Sequence, residues 1–155
     1  MNISEALTYG IKILTDVGNE NPTLDTKILM KEELNYTDSE IINNLNNKIN
    51  NKNLINFKNK IERRKFSEPI AYITNKKDFW KSTFIVSNYT LIPRPDSEII
   101  IESIIKYIPS KKQKLNILDL GTGSGCLIIS VLQEYPNSWG KGIDISPETI
   151  SVAKK

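Results

Sequence analysis

Residues 116–130 read NILDLGTGSGCLIIS, and their types and spacing suggest ligand chemistry. An apolar run carries Asp119 near its end, glycines follow at 121, 123 and 125, and a second apolar run begins at Cys126. The pattern predicts a strand, a tight turn and a helix. Glycine lets the backbone turn sharply and approach a ligand closely. The helix that follows presents its first amides to whatever lies above the turn. Nineteen residues after Gly125 comes Asp144, near the end of a predicted second strand, Gly140 to Ile145. An acid at that place accepts hydrogen bonds from ribose hydroxyls. The reading is a nucleotide-binding turn. A dinucleotide fingerprint would need a third glycine at position 126, where Cys126 stands. No G-x-x-x-x-G-K-[ST] occurs, so a phosphate loop is unsupported. Cys126 reads as a packing residue at the helix start.

Composition narrows the chemistry further. There is no histidine, which removes imidazole bases and histidine-held metals from this chain. The single cysteine excludes an internal disulfide and thiolate clusters, so no metal site is expected. Carboxylates, amides, backbone groups or a cofactor must do the work. The 155 residues are 39% hydrophobic and 25% charged, ordinary for a globular protein. A net charge of +3 is too weak to argue for nucleic acid. No apolar run is long enough for a membrane span, and the first residues, MNISEALTYG, lack a signal pattern. A cytoplasmic location is expected.

The elements that position the turn follow from periodicity. Ala6, Leu7, Ile11, Leu14 and Val17 share helical spacing, with Ser4 as the expected cap and Gly18 as the stop. Pro22 opens a second helix with Leu24, Ile28, Leu29 and Leu34. Thr37 or Asp38 caps a third carrying Ile41, Ile42, Leu45 and Ile49, and a fourth holds Leu54, Phe57 and Ile61. Residues 1–70 therefore read as a helical bundle. From 71 to 90 the chain turns β-branched and aromatic, predicting a hairpin linker with its turn at Asn75 and Lys76. Asp96 is the expected cap of a helix with Ile99, Ile100, Ile104 and Ile105. The run 115–120 is nearly all apolar, as in parallel strands buried on both faces. Ser146 caps a last helix with Pro147 at its first position.

The D-x-G-x-G-x-G pattern resembles the first motif of S-adenosylmethionine-dependent methyltransferases. Three further blocks narrow the likeness: EPIAYITNKKDFW (68–80), LIPRPDSEIIIE (91–102) and GIDISPETISVAKK (142–155). Together they resemble the bacterial release-factor glutamine methyltransferases, the PrmC/HemK family, over nearly the whole chain. The resemblance implies an α/β protein: an N-terminal helical bundle, a β-hairpin linker, and the first part of a Rossmann-like methyltransferase domain from 91 to 155. It implies S-adenosylmethionine as cofactor and peptide chain release factors as partners, in a ribosome-associated context. The reaction would methylate the glutamine side-chain amide of their Gly-Gly-Gln loop. Gly121, Thr122, Gly123, Ser124 and Gly125 match the cofactor loop, and Asp144 matches the ribose-binding acid. Asp119 matches the leading acid, toward the methionine end. Asp96 and Ser97 stand where relatives of that family show Glu and Thr.

One departure stands out. The family's Asn-Pro-Pro-Tyr signature is absent from these residues, so no catalytic residue is assigned and the chain alone is expected to be inactive. A non-catalytic remnant binding release factor or cofactor, or part of a bifunctional protein/tRNA methyltransferase, are the alternatives. With strand 115–120 missing a neighbour, an apolar edge is expected to be uncovered, with poor solubility or partial unfolding of the 91–155 half as its consequence. Lys48, Lys52, Lys58, Lys60, Arg63, Arg64 and Lys65 make 48–65 basic. A solvated helix face explains that charge; a release-factor or RNA contact is the sharper reading. No aromatic-rich basic platform accompanies it, so direct nucleic-acid binding is not predicted.

Overall fold

The computed structural model describes residues 1–155 and divides between Thr74 and Asn75 into two compact units. The first unit is helical: α1 (Ile3–Asp16), α2 (Pro22–Leu34), α3 (Asp38–Asn43), α4 (Asn51–Lys65) and α5 (Ile70–Thr74). Its core is Ile3, Ala6, Leu14, Leu29, Met30, Ile41, Ile49, Phe57, Ile61 and Ile73.

The caps explain where these helices begin. Asn2, not Ser4, caps α1: its Oδ1 accepts from Glu5 N–H at 2.8 Å, and Glu5 returns the bond to Asn2 N–H at 2.9 Å. Thr37 and Glu40 make the same reciprocal box at α3. The structure shortens α3 relative to its periodicity. Asn44 donates its side-chain amide to Glu40 C=O and competes with the helix ladder. The chain beyond runs back along the N-terminus, where Leu45 and Asn47 carbonyls accept from Ser4 and Ile3 N–H. The Asn-rich stretch thus satisfies two orphan amides of α1, and Ile49 enters the core without being helical.

α2 turns a different face inward from the one its leucines suggest. Leu24 is 56% exposed, while Asp25, Thr26, Leu29 and Met30 are buried. Arg64 compensates Asp25, with Nε donating to Oδ2 at 2.7 Å, and Asn19 donates to the same oxygen. Lys60 pairs with Glu33 at 2.9 Å, and Arg63 makes a two-point bond to Glu68. Much of the basic run on α4 is therefore spent on internal pairs.

The second unit begins with an antiparallel hairpin, β1 (Lys76–Phe79) and β2 (Ser82–Ile85). Its turn lies at Trp80 and Lys81, not at Asn75 and Lys76. Asn75 has φ +57°, a conformation asparagine tolerates, and it directly follows α5. The signal read as a hairpin turn marks a helix end. After a single 3-10 turn, Pro95–Ser97, come α6 (Glu98–Tyr107), β3 (Asn116–Leu120), α7 (Cys126–Glu134), β4 (Trp139–Ile143) and α8 (Pro147–Ala153). β3 and β4 run parallel from Asn116↔Trp139 to Leu120↔Ile143, joined through α7. Phe79, Phe84, Ile101, Val131 and Tyr135 form the core. α7 packs on the sheet face of Gly140 and Gly142. Side chains alternate along a strand, and Leu118, Leu120, Trp139 and Ile143 on the opposite face are exposed. The strand read as buried on both faces is covered on one. No helix is long and apolar enough to cross a membrane.

Glu134 ties this unit together. At the C-terminal end of α7 it accepts from Trp80 Nε1 at 2.8 Å, Lys111 Nζ at 2.8 Å and Lys81 Nζ at 2.5 Å. The Lys111, Lys81 and Trp80 hydrogen bonds lower its pKa from 4.5 to about 2. A depressed carboxylate contributes stability above its unfolded pKa and loses it as pH falls through the folded one. Glu134→Gln keeps an acceptor for Trp80 but loses the charge. At pH 7 it should cost about 1 kcal/mol, a figure held low because both lysines are substantially solvated. Urea titrations should show the gap from the parent closing as pH drops from about 4.5 toward 2. A pH-independent gap would remove the ionic contribution.

Candidate cofactor-binding site

The turn between β3 and α7 is built on backbone that favours glycine. Gly121, Gly123 and Gly125 have φ of +75°, +58° and +80°, the left-handed region where a side chain is strained. The turn is moored to the end of β4: Gly121 and Thr122 N–H both donate to Ile143 C=O, at 2.9 and 3.0 Å. Gly125 N–H closes onto Thr122 C=O at 2.8 Å. α7 then starts without a side-chain cap, unlike α1, α3, α4 and α8.

Two carboxylates frame this loop. Asp144, one residue past β4, accepts from Gly123 N–H at 3.0 Å through Oδ2 and from Ser146 N–H at 3.1 Å through Oδ1. Hydrogen bonds from the Ser146 and Gly123 backbones hold its carboxyl below the usual carboxylate range. Asp119 Oδ2 accepts from Thr122 Oγ1 at 2.8 Å. The acids singled out in sequence thus both engage the loop, at the C-terminal ends of two parallel strands. Crevices at such ends are where open α/β sheets take ligands.

The seven candidate residues do not play equal parts. Thr122 and Ser124 are 7% and 5% exposed, so both residues are buried in the fold and their side chains serve the loop from inside. Burial raises the Cys126 thiol pKa, the state of a packing residue and not of a nucleophile. Asp96 and Ser97 do not cap α6 through their side chains: Asp96 sits in the preceding 3-10 turn, and Ser97 at the cap position makes no side-chain bond. Ser146 does cap α8, accepting from Thr149 N–H at 3.1 Å.

Sequence reasoning missed two features. Ile145, next to Asp144, is 100% exposed, an apolar side chain with nothing over it. Gly140 and Gly142 lie where a Cβ would collide with α7 and with Thr122. The alternation WGKGID signals both, since small residues on one strand face allow close packing.

Known proteins resemble this chain. The PrmC N-terminal domain family matches residues 5–74. A release factor glutamine methyltransferase of Buchnera aphidicola subsp. Baizongia pistaciae is 39% identical over all of this chain and 55% of its own length. One from Caulobacter vibrioides is 31% identical over all of this chain and 53% of its own. A bifunctional methyltransferase of Rickettsia bellii is 36% identical over 99% of this chain and 32% of its own length. The chain therefore spans about half the length of the first two and about a third of the last.

Proposed function

We propose that the chain, whose residues 5–74 match the PrmC N-terminal domain family, is part of a release factor glutamine methyltransferase, binding S-adenosylmethionine on the Gly121–Gly125 loop and docking a peptide chain release factor for methylation. The observation that carries the cofactor assignment is the joint between Gly123 N–H and Asp144 at 3.0 Å. It puts a glycine loop and a second-strand carboxylate into one constellation. Each oxygen of Asp144 takes one backbone N–H, and a carboxylate accepts about four hydrogen bonds. Acceptor capacity therefore remains for the two ribose hydroxyls. Ile145 offers the adjoining apolar surface, suited to a purine face. These features fit the group.

When bound, the cofactor supplies an electrophilic methyl group. The residues of this chain hold and orient it. The loop's left-handed glycines let the backbone come within hydrogen-bond distance without a side chain intervening. Asp119, bonded to Thr122, stiffens the loop on the methionine side. The helical unit, residues 1–74, is the docking surface for the protein substrate in this reading. Transfer to a glutamine amide needs groups that position the nitrogen, and residues 1–155 contain no Asn-Pro-Pro-Tyr to do so. The chain by itself is therefore assigned cofactor binding and docking, without turnover.

A second reading is part of a bifunctional methyltransferase, favoured by the Rickettsia bellii relative. Both readings make the same prediction for this site. Titrating the 155-residue chain with S-adenosylhomocysteine in a calorimeter should give saturable one-to-one binding. Absence of heat and of any thermal-shift response at millimolar ligand would overturn the cofactor assignment. Incubation with S-adenosylmethionine and a Gly-Gly-Gln peptide should leave the peptide mass unchanged; a gain of one methyl would refute the division of labour.

A further inference from the structure

We infer that Gly142 is a positioning residue for the ligand-holding loop: the side chain it lacks is the socket that seats Thr122, and this seat sets where the loop stands against β4. The inference rests on the cofactor reading above and names the part of the fold that sets the geometry of that site.

The space at Gly142 is filled by one residue. A Cβ there would lie 2.6 Å from Thr122 Oγ1, 2.9 Å from its Cβ and 3.0 Å from its Cγ2. Thr122 is a short β-branched residue, stiff at χ1, and it cannot step aside cheaply. Its hydroxyl donates to Asp119 at 2.8 Å, its N–H to Ile143 C=O at 3.0 Å, and its own C=O accepts from Gly125 at 2.8 Å. Every bond that holds the turn in place passes through Thr122 or its neighbours. Gly142 itself does not adopt positive φ, so its backbone would accept alanine without strain. What forbids a side chain is the seated threonine.

Gly140, two residues earlier on the same strand, is the internal contrast. A Cβ there would meet Ile128 Cδ1 at 2.8 Å, Ile128 Cγ1 at 3.1 Å and Leu132 Cδ1 at 3.2 Å. The first and last of these are terminal methyls of α7 side chains that can turn about χ2, and none of the three atoms belongs to the turn. Gly140 admits the helix; Gly142 admits the loop. The two glycines look alike in sequence and differ in what they touch. On this view Asp119 acts through Thr122, securing the peg in its socket, and need not touch the ligand.

The test compares the parent, Gly142→Ala, Gly140→Ala, Thr122→Gly and the double variant Thr122→Gly/Gly142→Ala as full 155-residue chains. S-adenosylhomocysteine affinity should fall about tenfold in Gly142→Ala and stay within about twofold in Gly140→Ala, since misplacing a binding group by a fraction of an ångström is costly. Added to Thr122→Gly, the same substitution should cost less than about threefold, because coupled residues lose their penalty when one partner is gone. Amide exchange at Gly121 and Thr122, which share Ile143 C=O, should quicken in Gly142→Ala and not in Gly140→Ala. Equal effects of the two alanines on affinity and exchange, or an undiminished effect in the double variant, would overturn the seat. If the parent does not bind the probe, the cofactor reading fails, and the exchange contrast alone decides whether Gly142 sets the loop. If Gly142→Ala alone does not fold, recovery of the fold with Thr122→Gly supports the socket and its absence refutes it.

Discussion

Replacing Gly10 by alanine is expected to cost the helical unit about 2 kcal/mol, because overpacking a filled core costs more than helix propensity returns. Gly10 sits in the middle of α1, where α1 lies against α2 and α4. A Cβ there would stand 2.7 Å from Thr26 Cγ2, 2.9 Å from Ile61 Cδ1 and 3.2 Å from Phe57 Cζ. Thr26, Ile61 and Phe57 are all fully buried. Ile61 can swing its terminal methyl, but Thr26 is branched at Cβ and Phe57 is a rigid ring. Alanine would otherwise gain about 0.5–1 kcal/mol over glycine within a helix. The sign of the result therefore decides whether close approach or propensity governs this position. Thermal unfolding should show a drop of roughly 10 °C, the scale for a unit of this size. An unchanged or raised midpoint would mean that α1 can move outward freely, and that Gly10 is not the contact that sets the bundle's spacing.

Gly10 also shows why part of this fold could not be read from the sequence. A glycine inside a helical pattern reads as a weak spot, because periodicity records which residues are apolar and not how near another helix comes. The same limit applied to Leu24. It sat on the apparent stripe of α2 but is exposed, while Asp25 went inside because Arg64, thirty-nine residues later, supplied a counter-charge. Long-range pairing of that kind leaves no local trace. Local chemistry was legible: Pro22 at the start of α2, Thr37 and Ser146 as caps, and Gly18 with φ +72° after α1 all follow from groups within a few residues. The glycine turn was legible for a related reason. Its left-handed turn demands glycine at 121, 123 and 125, so the backbone wrote its own conformation into the sequence. Trp80 at φ +55° had no such signature, and the hairpin turn was misplaced accordingly. Trp80 is held there by Glu98, which accepts its N–H at 2.7 Å, and by Glu134.

Asp144→Ala is expected to weaken S-adenosylhomocysteine binding about thirtyfold or more, since hydrogen bonds to a charged acceptor are among the stronger ones. Two losses combine. The ribose hydroxyls lose their acceptor, and Gly123 N–H loses the carboxylate that now fixes it at 3.0 Å. Asp144→Asn separates them. The amide oxygen can still take one backbone N–H, so part of the strap survives while the charge does not. Its affinity should fall between those of the parent and the alanine variant. The pH dependence gives an independent check. Backbone hydrogen bonds from Ser146 and Gly123 stabilise the ionised form and push the Asp144 pKa below its ordinary value of 3.8. The carboxylate is then fully charged from pH 5 to 8, and its contribution to affinity should be flat across that range. Because protonation is needed to release the strap, affinity should decline only under conditions more acidic than an ordinary aspartate requires. Equal affinity of parent and alanine variant would detach Asp144 from the ligand. A parent affinity that falls with a midpoint between pH 5 and 7 would place the acceptor on some other group. A histidine cannot be that group, because the chain contains none.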